Sequence, residues 1–348
     1  MRAALLAAAW FATVFSLGIG SALADDAVGF RQFSSTADDR KLDIAVWYPA
    51  VSGGEAKRIG DNAVFLGWPV HPDASPAPGK HSLIVLSHGF SGNLLNQGWL
   101  AVDLARRGYV VAAVNHPGTT SRNMDKAVGA RLWERPRDIS HVIDTLERDP
   151  AWSGSISDDS VAVIGHSLGG WTVLELAGAR FDASRFEADC RENPKLAACE
   201  VYRQIGAGAD ATAKAALGQD LSEPRVKAVV SLDLGLARGF DPESLSRISV
   251  PVLVIAAEGG DARIPAELES RHLVDLLPPA TTLSTEIPGA AHFSFLPECK
   301  PGSDEALERE EPGDGVACKD AKGGNRAAIH EQVANEVASF LAGALIVK

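Results

Sequence analysis

The chain has 348 residues, of which 46% are hydrophobic and 22% are charged, so it can bury the core of a large domain and is not intrinsically disordered. Its formal net charge is -12 at pH 7. Because nucleic acids and anionic membrane surfaces are bound by clustered Lys and Arg, this balance predicts that neither is a partner.

Residues 1–24 have the pattern of a secretory signal peptide. Arg2 precedes a long apolar run, and the small-residue stretch SALA is followed by two acidic residues. This order predicts cleavage after Ala24 and a periplasmic or secreted mature chain, 25–348, without a membrane anchor. The alternative is an uncleaved anchor, since the apolar run is nearly long enough to span a bilayer.

Short apolar runs rich in β-branched residues alternate with helical patterns along the mature chain. The predicted strands are residues 43–48, 83–87, 109–114, 161–165, 227–232, 251–257 and 282–287, and the predicted helices are residues 94–107, 138–148, 169–180, 265–277 and 326–345. The strands are continuously apolar, which is typical of a mostly parallel sheet covered by helices on both faces. The predicted fold class is therefore α/β, in one domain.

One segment, 181–224, interrupts this alternation with a polar, Ala-rich sequence between a predicted helix and the next strand. We predict that it is a cap insertion over a site at the carboxyl ends of the strands. The alternative is a surface excursion without contact to substrate.

Four cysteines form two local pairs in polar sequence, Cys190 with Cys199 and Cys299 with Cys318. In an exported protein this arrangement predicts two disulfides. A zinc site is the weaker interpretation, because no C-x-x-C motif or cluster of histidines accompanies them, so no metal is predicted. Free buried thiols are a further alternative.

The stretch VAVIGHSLGGW carries a G-x-S-x-G motif between an apolar strand and an amphipathic helix. This motif places its serine, Ser167, on a sharp strand-to-helix turn that exposes the hydroxyl. Gly165 and Gly169 are required because side chains at these positions would collide with the neighbouring turn. Ser167 is therefore the candidate nucleophile.

A serine nucleophile needs a general base, and His292 is the best candidate because it follows the last predicted strand in a Gly-rich turn. His272 and His330 also follow in the sequence, but both fall within predicted helices. His166, beside the nucleophile, is expected to pack against or orient the turn.

The acid of the triad has two candidates, and a third position is weaker. Asp261 follows the strand 251–257, which is the usual position of the acid on this scaffold, and we favour it. Asp233 follows the preceding strand at the same sheet edge. Glu258 is too close to a strand end to be a strong candidate.

Several further residues adjoin these motifs. The backbone N–H groups of Phe90, in SHGFSGN, and Leu168 are the predicted oxyanion hole. Trp99, Trp171 and Phe293 are candidates for an acyl pocket, although core packing explains each equally well. The stretch RPRD, 135–138, is interpreted either as a brace for the site or as a charge pair at a helix N-terminus.

Together, the motifs GHSLGG, SHGFSGN, RKLDIAVWYPA, VNHPGTTS, LWERPRDIS and PGAAHFSFL resemble the predicted dienelactone hydrolases related to plasma-type platelet-activating-factor acetylhydrolase, within the α/β-hydrolase superfamily. The resemblance covers nearly all of the mature chain. It implies an α/β-hydrolase fold and a serine hydrolase of small-molecule carboxylic esters that needs no cofactor. It also implies that Asp233 is the acid position used by plasma-type acetylhydrolases. Strict dienelactone hydrolases have a cysteine where this chain has Ser167, which favours ester cleavage over lactone cleavage.

Other functions remain open on the same residues. A peptidase or a thioesterase would use the same triad with a different pocket. A catalytically dead, secreted binding protein is the alternative from another class, against which the joint presence of nucleophile, base and glycines speaks.

Overall fold

A computed structural model of the protein describes residues 27–37, 40–51, 54–152, 154–259 and 263–345. The predicted signal peptide, 1–24, lies outside the described residues, so its cleavage stays a prediction. Among the described residues, every helix is too short or too polar to cross a bilayer.

The central element of the described chain is a ten-stranded sheet in the spatial order β12-β11-β10-β9-β5-β6-β2-β1-β4-β3. Its strands are β1 (Val28–Ala37), β2 (Arg40–Pro49), β3 (Lys57–Ile59), β4 (Trp68–Pro72), β5 (His81–Ser87), β6 (Val110–Val114), β9 (Ile156–His166), β10 (Val226–Leu232), β11 (Val252–Ala257) and β12 (Thr282–Ile287), and a separate pair is formed by β7 (Thr119–Thr120) and β8 (Asn123–Met124). The six strands from β12 to β6 are parallel, and β2 joins β6 in antiparallel pairing. The predicted mostly parallel sheet is confirmed.

Helices cover both faces of this sheet. They are α1 (Gly98–Arg106), α2 (Lys126–Gly129), α3 (Glu134–Arg148), α4 (Leu168–Leu176), α5 (Ala183–Glu192), α6 (Ala197–Ile205), α7 (Ala211–Leu217), α8 (Pro242–Ser246), α9 (Ser270–Leu276), α10 (Ser303–Glu310) and α11 (Arg326–Ala344). Helices α1 and α11 contribute to one core, and α3 and α4 contribute to the other.

Strand β9 shows why the strand sequences are continuously apolar. Val161 and Val163 point into the core that contains α3 and α4, whereas Ala162 and Ile164 point into the core that contains α1 and α11. Successive side chains of a strand alternate between its two faces, so a strand covered on both faces needs apolar residues at every position.

The 181–224 segment folds into three helices, α5, α6 and α7, between α4 and β10. The predicted Cys190–Cys199 disulfide joins α5 to α6. The backbone N–H of Glu223 donates to the carbonyl of Leu176 over 3.0 Å, so the chain leaves and rejoins the main fold at adjacent points. The second predicted disulfide, Cys299–Cys318, is also formed.

Candidate active site

Ser167 occupies the turn between β9 and α4 with φ 56° and ψ -120°, a conformation that L-residues rarely adopt. The flanking glycines make this turn possible. A Cβ on Gly165 would lie 2.0 Å from the carbonyl oxygen of Gly169, and a Cβ on Gly169 would lie 1.9 Å from that of Ser87. Two glycines of the motif are therefore required by close backbone approaches, as the sequence predicts.

The Ser167 hydroxyl lies 3.0 Å from Nε2 of His292, which begins a short 3-10 helix (His292–Phe295) after β12. The other ring nitrogen of His292, Nδ1, lies 2.6 Å from Oδ2 of Asp233. The Asp233 and His292 side chains are buried, whereas that of Ser167 is partly exposed. The geometry is that of a serine, a base and an orienting acid.

The carboxylate beside His292 is that of Asp233, the second of the two predicted candidates. Asp261 lies outside the described residues, while Asp233 follows β10 at φ 42° and has both oxygens engaged. Its Oδ1 accepts the backbone N–H of Ala257 over 2.9 Å. Strand β10, which Asp233 follows, is the immediate neighbour of the nucleophile's strand, whereas β11, which the exposed Glu258 follows, is one strand farther away.

The two predicted oxyanion donors flank Ser167. Leu168 is the first residue of α4, and Phe90 lies in the turn after β5. Within the described chain, neither backbone N–H meets a hydrogen-bond acceptor. A Cβ on Gly89 would lie 3.1 Å from Cβ of Ser167, which shows how closely this turn approaches the serine. Two unoccupied N–H groups beside the hydroxyl can receive a developing negative charge.

The turn that carries His292 is held from several sides. Nε2 of His166 lies 2.9 Å from the carbonyl of His292, so this ring bonds the turn of the candidate base, whereas the sequence predicted a role at the Ser167 turn. Nε2 of His330, on α11, lies 3.0 Å from the carbonyls of Ser294 and Leu296. Burial lowers the pKa of His330 to about 4, so its imidazole is neutral at pH 7.

Two of the three aromatic candidates are core residues. Trp171 is fully buried, and Trp99 is buried with its ring stacked on His330 at 3.9 Å. Phe293 is partly exposed and packs edge-on against His292, with ring centroids 5.1 Å apart. Phe293 is therefore the member of this set that has exposed surface beside His292.

The three-helix insertion touches the loop that carries Asp233. A Cβ on Gly235 would lie 3.7 Å from that of Ala198 in α6. In addition, the Ala197 N–H donates to the Arg263 carbonyl over 2.8 Å. These contacts place α6 beside the loops that follow β10 and β11.

Glu269 supports the same loop from beneath. Its Oε2 accepts the N–H of Ala237 over 2.8 Å, four residues after Asp233. Burial raises the pKa of Glu269 to about 8, so this carboxyl group is protonated at neutral pH. The sequence contains no signal that distinguishes this glutamate from the exposed ones around it.

A second polar cluster lies beneath the Phe90 turn. It joins Ser87, His88, His116, Arg135 and Asp138, all of which are buried. Only Arg135 and Asp138 of this cluster were candidates from the sequence. The signal for the other three was positional, since SHG and VNH follow the ends of two neighbouring predicted strands, where parallel strands bring polar residues together. Among the described residues, no group of acidic, His and Cys side chains is arranged to hold a metal ion.

Comparisons with known proteins extend this picture. Residues 84–301 match a family model described as alpha/beta hydrolase family. The cutinase est1 of Thermobifida alba is 29% identical over 135 residues, which cover 38% of this chain and 42% of that protein. A bis(hydroxyethyl) terephthalate hydrolase of Streptomyces coelicolor is 28% identical over 116 residues, covering 33% of this chain and 34% of that protein. The chain thus spans less than half the length of these curated relatives.

Among solved structures, a ferulic acid esterase from Streptomyces cinnamoneus superposes with a TM-score of 0.61. The superposition covers 92% of this chain and 89% of that chain, at 20% sequence identity. At this identity the similarity concerns the fold, which is shared over nearly the whole length.

Proposed function

The chain belongs to the alpha/beta hydrolase family, and on that premise we propose that it is a serine hydrolase that cleaves carboxylic esters through an acyl-enzyme. The observation that carries the proposal is the unbroken path from the Ser167 hydroxyl through both nitrogens of His292 to Asp233, over 3.0 and 2.6 Å. The similarity to a cutinase and to a bis(hydroxyethyl) terephthalate hydrolase favours esters over other acyl compounds as substrates.

In the proposed mechanism, Ser167 attacks the ester carbonyl while Nε2 of His292 accepts its proton. Asp233 holds Nδ1 and stabilises the imidazolium that forms. The N–H groups of Phe90 and Leu168 bind the oxyanion of the tetrahedral intermediate. His292 then gives its proton to the departing alcohol, and a water molecule activated by the same ring hydrolyses the acyl-enzyme.

The proposal extends to the surroundings of the triad. We assign the 181–224 insertion as a cap that borders the substrate cleft, supported by the contact of Ala198 with the Asp233 loop. We also propose that the protein is exported after cleavage of residues 1–24 and acts in the periplasm or outside the cell. Two formed disulfides support an oxidising compartment.

The test is a series of p-nitrophenyl esters of increasing acyl length, hydrolysed by the purified mature protein. We expect Ser167→Ala to lose at least about 10³-fold in kcat and to escape labelling by a fluorophosphonate. Ser222→Ala, which alters an exposed serine, is the control. An unlabelled, inactive wild type would instead support a binding protein on this scaffold. Faster turnover of thioesters than of esters would support a thioesterase, and faster turnover of peptides would support a peptidase.

A further inference from the structure

Arg135, in the first turn of α3, is buried with only 1% of its surface exposed. Among the described residues, its guanidinium bonds four neutral oxygens and no carboxylate. Nε donates to Thr172 over 2.9 Å, Nη1 donates to Thr119 over 2.7 Å, and Nη2 donates to the hydroxyl of Ser87 and the carbonyl of His88. Burying a guanidinium is costly, and its burial lowers the pKa of Arg135 to about 9.

The carbonyl that Arg135 binds belongs to the turn that carries Phe90. The next carbonyl, that of Gly89, accepts from Nδ1 of the His88 ring over 2.7 Å and from the N–H of Gly92 over 3.1 Å. A peptide group is planar and trans, so the Gly89 carbonyl and the Phe90 N–H point in opposite directions. Fixing the Gly89 carbonyl on its two donors therefore also fixes the direction of the Phe90 N–H.

The His88 ring is itself held by a chain of bonds that returns to Arg135. Its Nε2 accepts the backbone N–H of His116 over 3.0 Å. The His116 ring accepts from the Ser87 hydroxyl at Nε2 and donates to Asp138 from Nδ1, each over 2.9 Å. Arg135 closes the circuit by donating to Ser87. Burial holds the pKa values of His88 and His116 well below their usual range, so both rings are neutral, as these bonds require.

Ser87, His116 and Asp138 thus repeat the serine, histidine and aspartate order of the triad, yet the Ser87 and His116 side chains are completely inaccessible. The Ser87 hydroxyl also accepts from Arg135. No substrate can therefore reach the Ser87 hydroxyl. The arrangement can fix the orientation of a histidine, and it cannot carry out acyl transfer.

We propose that Arg135 is a positioning residue for the oxyanion hole, which sets the direction of the Phe90 N–H through the His88 carbonyl and the His88 ring. This inference rests on the proposed function. It predicts that loss of the guanidinium weakens binding of the tetrahedral state while leaving substrate binding largely intact.

The experiment compares Arg135→Lys with Arg137→Lys, which changes a half-exposed arginine two residues along the same helix. We expect kcat on p-nitrophenyl butyrate to fall by about 10²-fold in Arg135→Lys, the effect of one lost oxyanion donor, with KM nearly unchanged. The inhibition constant of phenylboronic acid, which mimics the tetrahedral intermediate, should rise in parallel. Arg137→Lys should keep the wild-type values.

His88→Leu provides a second route, because it removes the ring that holds the Gly89 carbonyl and leaves Arg135 in place. If Arg135→Lys does not give the circular dichroism of the wild type, the same readouts on His88→Leu decide. A folded variant with wild-type kcat, or one whose loss falls on KM alone, overturns the inference. If the wild type itself shows no hydrolysis that depends on Ser167, the proposed function fails, and this inference fails with it.

Discussion

Replacing Asp233 by Asn tests the assignment of the triad acid most directly. One carboxylate oxygen of Asp233 accepts the N–H of Ala257 over 2.9 Å, and the other accepts Nδ1–H of His292 over 2.6 Å. An asparagine must keep its single oxygen towards the Ala257 N–H, because its amide nitrogen would meet a second donor there. The NH₂ group then faces Nδ1 of His292.

That orientation reverses the protonation of the imidazole. Nδ1 becomes an acceptor, so the proton moves to Nε2, and the nitrogen 3.0 Å from Ser167 can no longer accept the serine proton. Loss of the correct tautomer costs about 10⁴-fold in kcat, or about 5 kcal/mol of transition-state stabilisation. The overall shape of the site is unchanged, so the KM of Asp233→Asn should stay close to that of the wild type.

The assay is steady-state hydrolysis of p-nitrophenyl butyrate, with Asp103→Asn as a control at a partly exposed aspartate on α1. Thermal unfolding should show that both variants are folded. A kcat of Asp233→Asn within about tenfold of the wild type would refute the reasoning, because loss of the correct tautomer should cost far more than that. A large loss in Asp261→Asn in its place would restore the acid favoured by the sequence.

Three further predictions concern stability. Gly169→Ala places a Cβ 1.9 Å from the Ser87 carbonyl and should lower the free energy of unfolding by about 3 kcal/mol or more in urea titrations. Glu269→Gln should stabilise the protein increasingly as the pH rises from 5 to 7, by up to about 3 kcal/mol. The folded pKa of about 8 exceeds the unfolded value of 4.5, so the native carboxyl loses stability over this range. Reduction should add about 4 Da to the intact mass, and Cys299→Ser with Cys318→Ser should cost about 3 kcal/mol.

Each of these predictions has a control or a contradicting result. Gly343→Ala adds a Cβ that meets nothing within 4 Å and should be tolerated. Glu267→Gln, which changes an exposed glutamate two residues away, is the matched control for the pH series. Equal pH dependence in this variant and Glu269→Gln would contradict the buried, protonated state of Glu269. A gain of only about 2 Da on reduction, at one proton per thiol formed, would remove one of the two disulfides.

The buried strands and the larger helices were predictable, because each is defined by a local pattern. Strand β1 was missed, since VGFRQFSSTA is not a continuous apolar run and Gln32, Ser34 and Thr36 are exposed. Helix α3 begins at Glu134, four residues before the predicted start. Pro136 is tolerated in its first turn, because backbone N–H groups there have no acceptor within the helix, so the proline does not mark the boundary. Helix α9 begins at Ser270, five residues after the prediction.

The site divides in the same way. Ser167 and His292 stand in local motifs that could be recognised from a few neighbouring residues. The acid could not be identified from the local sequence, because β10 and β11 both end at the same sheet edge. The distance of each following loop from Ser167 depends on the order of the strands in the sheet. Arg135 and His116 form part of one cluster only after three separate segments have come together, so their roles could not be predicted from any one local motif.

The adjacent ends of the three-helix insertion have a consequence for engineering. The backbone groups of Leu176 and Glu223 are hydrogen-bonded, so a two- or three-residue turn could rejoin helix and strand if everything between them were excised. Ser167 precedes this junction by nine residues, and Asp233 and His292 lie beyond it. The insertion therefore joins the main chain at two adjacent ends. If it has the proposed role as a cap, we expect that transplanting a counterpart from another hydrolase exchanges selectivity while the catalytic groups keep their own scaffold.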